Sequence, residues 1–148
     1  MATAVATMLL FCLPLPTVAS QYAYDQNGQL IAISSDAGIS AHYVYDSLGN
    51  LKAIEKLGAG DLAIFSFAPT RGVAGTKVQL KGHGFDPDAS ANVVRFAGVA
   101  AIVESATGTA LLVSVPFGAA TGPITVEAKG RVATSAGTFI VEGQAQGP

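Results

Sequence analysis

Only two imidazoles are available for chemistry in this 148-residue chain, His42 and His83. His83 stands between Gly82 and Gly84, close to Asp86 and Asp88. Such a set offers nitrogen and hard oxygen to a divalent cation, yet falls short of the about four ligands of a zinc site or the about six or more of calcium. Asp86-Pro87-Asp88 is also a common turn opening, so the reading is a solvated turn at His83 and turn residues at both aspartates. Asp25 and Asp46 could act as a general acid and base, but their surroundings read as turn caps. The chain contains no Gly-x-Ser-x-Gly elbow and no phosphate-cradling glycine loop with its lysine. The expectation is a protein without catalysis, cofactor or bound metal.

Aromatic stacking is the other chemistry the residue types allow. There is no Trp, and all four tyrosines fall in two short segments. The run from Tyr22 to Ile33 recurs from Tyr43 to Ile54 at a constant offset of 21, with 7 of 12 positions identical. Tyr22 and Tyr24 are two apart and share one face of a strand, as do Tyr43 and Tyr45. Asp25 and Asp46 open a turn, and Gly28 and Gly49 supply the positive φ that closes it. Leu30 and Ala32, like Leu51 and Ala53, return as the second strand facing the tyrosines. Each unit is therefore a β-hairpin, with the tyrosines on its packed face in preference to a ligand platform.

The signature Tyr-x-Tyr-Asp-x-x-Gly-x-Leu, matched twice in register at Tyr22, Tyr24, Asp25, Gly28, Leu30 and at Tyr43, Tyr45, Asp46, Gly49, Leu51, resembles the YD repeat of the RHS family. That resemblance implies β-shells on secreted or surface proteins, often carrying toxin modules. Two copies are fewer than the about three units an array needs to bury its own faces, so they pack on the next domain or await more chain.

Gly58-Ala59-Gly60 reads as a short flexible joint, and the pattern changes beyond it. Lys77–Lys81, Val94–Phe96, Leu111–Val115 and Ile124–Ala128 alternate inward apolar with outward polar residues. With Phe65 and Phe67, Val99–Val103, and Phe139 and Val141, about seven strands separated by glycine turns predict an all-β, immunoglobulin-like sandwich. Pro69, Gly72, Gly75, Thr76, Gly82 and Phe85, followed by Phe96, Gly98, Pro116 and Gly122, resemble the landmarks of the IPT/TIG domain family, itself immunoglobulin-like. The resemblance implies a fold and leaves the binding site open.

Both ends look specialised. Residues 1–20 carry no charged side chain, contain the apolar run Met8–Leu13 and end in Val18-Ala19-Ser20, so they read as a signal peptide cut after Ser20. The one cysteine, Cys12, lies in that leader, which leaves the mature chain without a disulfide. Residues 21–57 hold the two repeats, 58–61 the linker, 62–142 the immunoglobulin-like domain and 143–148 a flexible tail. With a net charge of −2 and 12% charged residues, the chain lacks the basic surplus that grips nucleic acid, and no membrane span remains after cleavage. The expected function is a secreted or cell-surface structural or binding module of bacterial type, a spacer or adhesion element with an unknown protein or surface ligand. Alternatives are a piece of an RHS-type toxin-delivery shell and an accessory domain of a secreted enzyme.

Overall fold

A computed structural model describes residues 20–25, 27–35 and 40–143. The leader through residue 19, Cys12 included, and the tail from residue 144 lie outside the described residues. The first unit is a four-stranded antiparallel sheet in the order β1 (Ser20–Tyr24), β2 (Leu30–Ser35), β3 (Ser40–Tyr45), β4 (Leu51–Leu57). The first strand thus already includes Ser20, paired with Ser35.

The two hairpin turns are built alike. Asp25 Oδ1 accepts the backbone N–H groups of Asn27 and Gln29, and Asp46 Oδ1 accepts those of Leu48 and Asn50. Gly28 and Gly49 close the turns at φ 80° and 85°, where a side chain is strained. The N–H and then the side-chain amide of Asn50 hold the Asp46 carboxyl below its ordinary value of 3.8.

The packed face differs from the expected one. Ala23 and Ala32 oppose each other across the first hairpin and are buried, whereas Tyr22 and Tyr24 are 50% and 55% exposed. A register shift between Ala23 and Tyr24 separates Leu30, opposite Tyr24, from Ala32, opposite Ala23. Small residues let the sheet lie close to the following domain, near its first strand, and this leaves the rings outside.

That domain comprises β5 (Ala63–Ala68), β6 (Arg71–Gly72), β7 (Lys77–His83), a 3₁₀ turn (Ala89–Ala91), β8 (Asn92–Phe96), β9 (Val99–Ala106), β10 (Ala110–Ser114), β11 (Gly122–Ala128) and β12 (Arg131–Val141). The strand order is β5-β7-β10-β9-β8-β11-β12-β6. Eight strands replace the expected seven because the two-residue β6 pairs parallel to the end of β12. The last strand also begins well before Phe139, at Arg131. β9 joins the two halves: Val99–Ala101 pair with β8, and Ile102–Ala106 pair with β10. β12 comes up against β5, so the sheet encloses one core.

Alternation along each strand fills that core. Val78 and Leu80, Val94 and Phe96, Leu111 and Val113, and Ile124 and Val126 all point inward. Phe139 meets Phe96 edge-on at 5.0 Å and Phe67 at 6.3 Å, so three rings tie β12, β8 and β5 together. Among the family-like landmarks, Phe85 and Phe96 are fully buried. Pro69 follows a cis bond after β5, and Gly75, Gly98 and Pro116 occupy turns.

Two measurements check this packing and these turns. Phe139→Ala removes the ring shared by the two halves and destabilises the domain by about 3–5 kcal/mol in chemical denaturation; a loss under about 1 kcal/mol would contradict this packing. The depressed pKa of Asp46 means that its contribution to the second turn is fully present above about pH 4, its unfolded range, and is lost as pH falls through the lower folded value. A carboxyl NMR titration should place the Asp46 midpoint below 3.8, with the Asn50 amide following it.

Candidate functional site

Of the residues singled out for chemistry, the two histidines lie at the seam between the two units, in a way the sequence pattern conceals. Along β7, Val78, Leu80 and Gly82 alternate into the core, so parity aims His83 away from it. His83 is nevertheless only 3% exposed, because the repeat unit docks over that side of the sheet. It is not the solvated turn residue its glycine neighbours predict.

Both ring nitrogens are engaged across the seam. Nε2 lies 2.9 Å from the Gly58 carbonyl, which can only accept, so that nitrogen carries the proton. Nδ1 lies 2.7 Å from the buried Ser40 Oγ, and in the neutral ring it accepts the hydroxyl proton. One imidazole therefore joins β3, the Gly58 turn and β7. His42 adds a second contact by stacking on Phe65 of β5 at 5.9 Å and 18°.

The expected flexible joint is likewise an ordered turn. Asp61 Oδ2 accepts the Gly58 N–H at 2.8 Å, and the Asp61 N–H returns to the Gly58 carbonyl at 3.0 Å. Asp61 Oδ1 also receives Arg131 Nη1 at 3.2 Å. The glycines beside His83 permit this approach: a Cβ at Gly84 would overlap the Asp61 carbonyl oxygen, and one at Gly82 would overlap the Ala63 carbonyl oxygen and the Phe85 ring. Gly84 also sits at φ 78°.

Asp86 and Asp88 turn away from His83 into local structure. Asp86 Oδ1 accepts the Asp88 N–H, and Asp88 Oδ1 accepts the Ser90 hydroxyl at 2.7 Å and the Ser90 N–H at 2.9 Å. The Ser90 hydroxyl, with its N–H, holds the Asp88 carboxyl below its ordinary value. Asn92 secures the loop by donating to the Asp86 and Asp88 carbonyls. Among the described residues, no three His, Cys, Asp or Glu side chains gather where one cation could be held.

Two clefts are present, one beside the seam and one within the repeat sheet. One, of about 480 Å³, lies beside His83 and is lined by Ser35, Thr107, Thr109 and Lys129. Thr109 Oγ1 is buried there without a partner, and Lys129 donates to the Phe85 carbonyl at 3.2 Å from a backbone at φ 52°. The other, of about 670 Å³, is an open groove along the hairpin turns, with Tyr43, Tyr45, Asp25 and Asp46 in its lining. Ser40, Gly58, Asp61, Thr109, Lys129 and Arg131 are the residues that sequence reasoning missed. Their one signal was the Gly-His-Gly triplet at the end of an alternating strand, which marks a close backbone approach.

Ser40→Ala leaves the His83 Nδ1 buried without a donor and should cost about 1–3 kcal/mol in urea denaturation. An unchanged midpoint would mean that the seam does not hold the two units together.

The comparisons with known proteins divide the chain at the same place. Residues 24–61 match the RHS Repeat family, and residues 62–141 match the IPT/TIG domain family. No curated protein matches significantly. Among solved structures, an auxiliary nutrient binding protein from Bacteroides ovatus ATCC 8483 shares 28% identity at a TM-score of 0.52, over 55% of this chain and 21% of its own. An auxiliary nutrient binding protein from Bacteroides thetaiotaomicron VPI-5482 gives 28% and 0.51 over the same shares. A protein of unknown function from Bacteroides thetaiotaomicron VPI-5482 gives 26% and 0.53, over 67% of this chain and 23% of its own. The aligned part thus amounts to about a fifth of each of those longer chains. The IPT/TIG match covers more than half of the sequence, together with the core that its alternating strands build. The chain belongs to the IPT/TIG domain family and carries an RHS repeat directly ahead of that domain.

Proposed function

We propose that this chain is a non-catalytic structural and binding module, secreted or held at a bacterial cell surface, where it acts as a spacer or adhesion element. The observation that supports the reading is the way the seam and the loop after His83 use their polar groups. The His83 nitrogens, the Asp61 carboxylate and the Asp86 and Asp88 carboxylates are all occupied in joining or capping backbone. A general base or nucleophile needs a group within reach of substrate, and these groups are committed to the fold. The cations Arg71, Lys77, Arg95 and Arg131 each face a carboxylate, which argues against a basic stripe for nucleic acid. Contacts with a partner fall to the loop ends of the rigid domain, beside the cleft that holds Lys129 and Thr109. The similarity to auxiliary nutrient binding proteins accords with an accessory binding role.

A second reading, part of an RHS-type shell, is favoured by one observation: both outer strands of the repeat sheet, β1 and β4, are edges.

Intact-mass analysis of medium and envelope fractions tests the first reading. A species spanning residues 21–148 outside the cytoplasm is expected, with retention on envelopes that falls on Lys129→Glu. Recovery only from the cytoplasm, or only within a much larger polypeptide, would overturn it, the latter in favour of the shell. Hydrolytic activity abolished by Asp86→Asn would instead revive an enzyme.

A further inference from the structure

The two repeats are equivalent in sequence but not in environment. β2 and β3 meet across the inter-hairpin seam, with Ala32 opposite His42 and Ile33 opposite Ala41. The Tyr45 hydroxyl seals that seam by donating to the Leu30 carbonyl at 2.9 Å. Moved by the repeat offset of 21, the β2 side of this seam becomes β4, and the β3 side becomes β1. β1 and β4 are the two edges of the sheet, so each presents half of a seam whose other half the molecule already shows.

Burial marks the difference. Tyr43, Tyr45 and Leu30 are partly covered and Ala32 is fully buried, whereas their counterparts Tyr22, Tyr24, Leu51 and Ala53 are exposed. Every β4 residue from Leu51 to Lys56 is exposed, and Leu51 and Ile54 keep about half of their surface in water (50% and 51%).

We propose that the outer edge of β4 is completed by β1 of a second copy of this chain, head to tail, in the register of the β2–β3 seam. Ala53 then lies opposite Gln21 of the second copy, and Lys52 opposite its Tyr22, where the ammonium can rest on the ring. The hydroxyl of Tyr24 of the second copy donates to the Leu51 carbonyl, as Tyr45 does to Leu30. The contact is heterologous, so it closes into a ring if the rotation between copies permits and otherwise extends as an open chain with a free edge at each end. This goes beyond the surface-module reading and does not depend on it: a monomeric chain would leave that reading intact.

Disulfide trapping in the full chain, in a Cys12→Ser background, tests the pairing. Gln21→Cys and Ala53→Cys chains mixed under mild oxidation should form a mixed dimer, and neither alone should cross-link. Sedimentation velocity should show the unsubstituted chain associating as concentration rises. Tyr24→Phe should weaken that association, and Ala53→Pro should abolish it while the thermal unfolding of the IPT/TIG domain is unchanged. Cross-linking of Ala53→Cys alone would mean a symmetric β4–β4 contact and would overturn the head-to-tail register. A chain that stays monomeric at every concentration and gives no mixed dimer would overturn the proposal altogether, as would association undiminished by either Tyr24→Phe or Ala53→Pro.

Discussion

A buried imidazole with both nitrogens bonded to another unit is the interaction on which the arrangement of this protein depends. Taking His83 out of water is unfavourable unless each ring nitrogen finds a partner, and neither partner lies in its own domain. Ser40 comes from the third strand of the repeat sheet and Gly58 from the turn that ends it. Their positions are therefore coupled to β7. The Gly58 carbonyl accepts a second hydrogen bond from the Asp61 N–H, and the Asp61 carboxylate accepts one from Arg131. A few polar groups thus turn what would be a loose joint into an ordered connection. The neighbouring glycines are the steric condition for it, since any Cβ at Gly82 or Gly84 would meet a carbonyl oxygen.

The same docking explains why the repeat sheet packs by its smallest residues. A sheet laid close against another surface favours Ala over Tyr, and the buried Ala23 and Ala32 stand in register with His42, which stacks on Phe65. Tyr45 serves the seam between hairpins, spanning from one unit to the Leu30 carbonyl of the other. A repeat signature in this chain is thus a rule for joining neighbours edge to edge. Where a neighbour is present the aromatic is covered, and at the outer edge it is open.

Within the IPT/TIG domain, the apolar core and the polar loop network are physically separated. The core is a continuous apolar cluster from both halves of the folded sheet, linked through Phe67, Phe96 and Phe139. The polar residues gather at loop ends, where Asp86, Asp88 and Asn92 consume one another's hydrogen bonds and hold the loop in a fixed shape. These bonds fix the backbone of that loop against the end of the domain.

Most of the architecture is legible in the residues themselves. Strict alternation places Val78, Leu80, Val94, Phe96, Ile124 and Val126 inward, and a period of 21 gives two hairpins with Asp and Gly at fixed turn positions, because strand parity and turn geometry are local properties of the backbone. The strand order, the change of partner along β9 and the short β6 depend on which distant strands meet, and no local pattern encodes that. His83 shows the boundary most clearly. Its parity correctly aims it away from the core of its own domain, and only the docking of a second unit on that side makes outward mean buried. The elements, their faces and their turns are thus written in the chain. Which outward faces are covered was settled by packing, since burial at a seam is a property of two surfaces brought together.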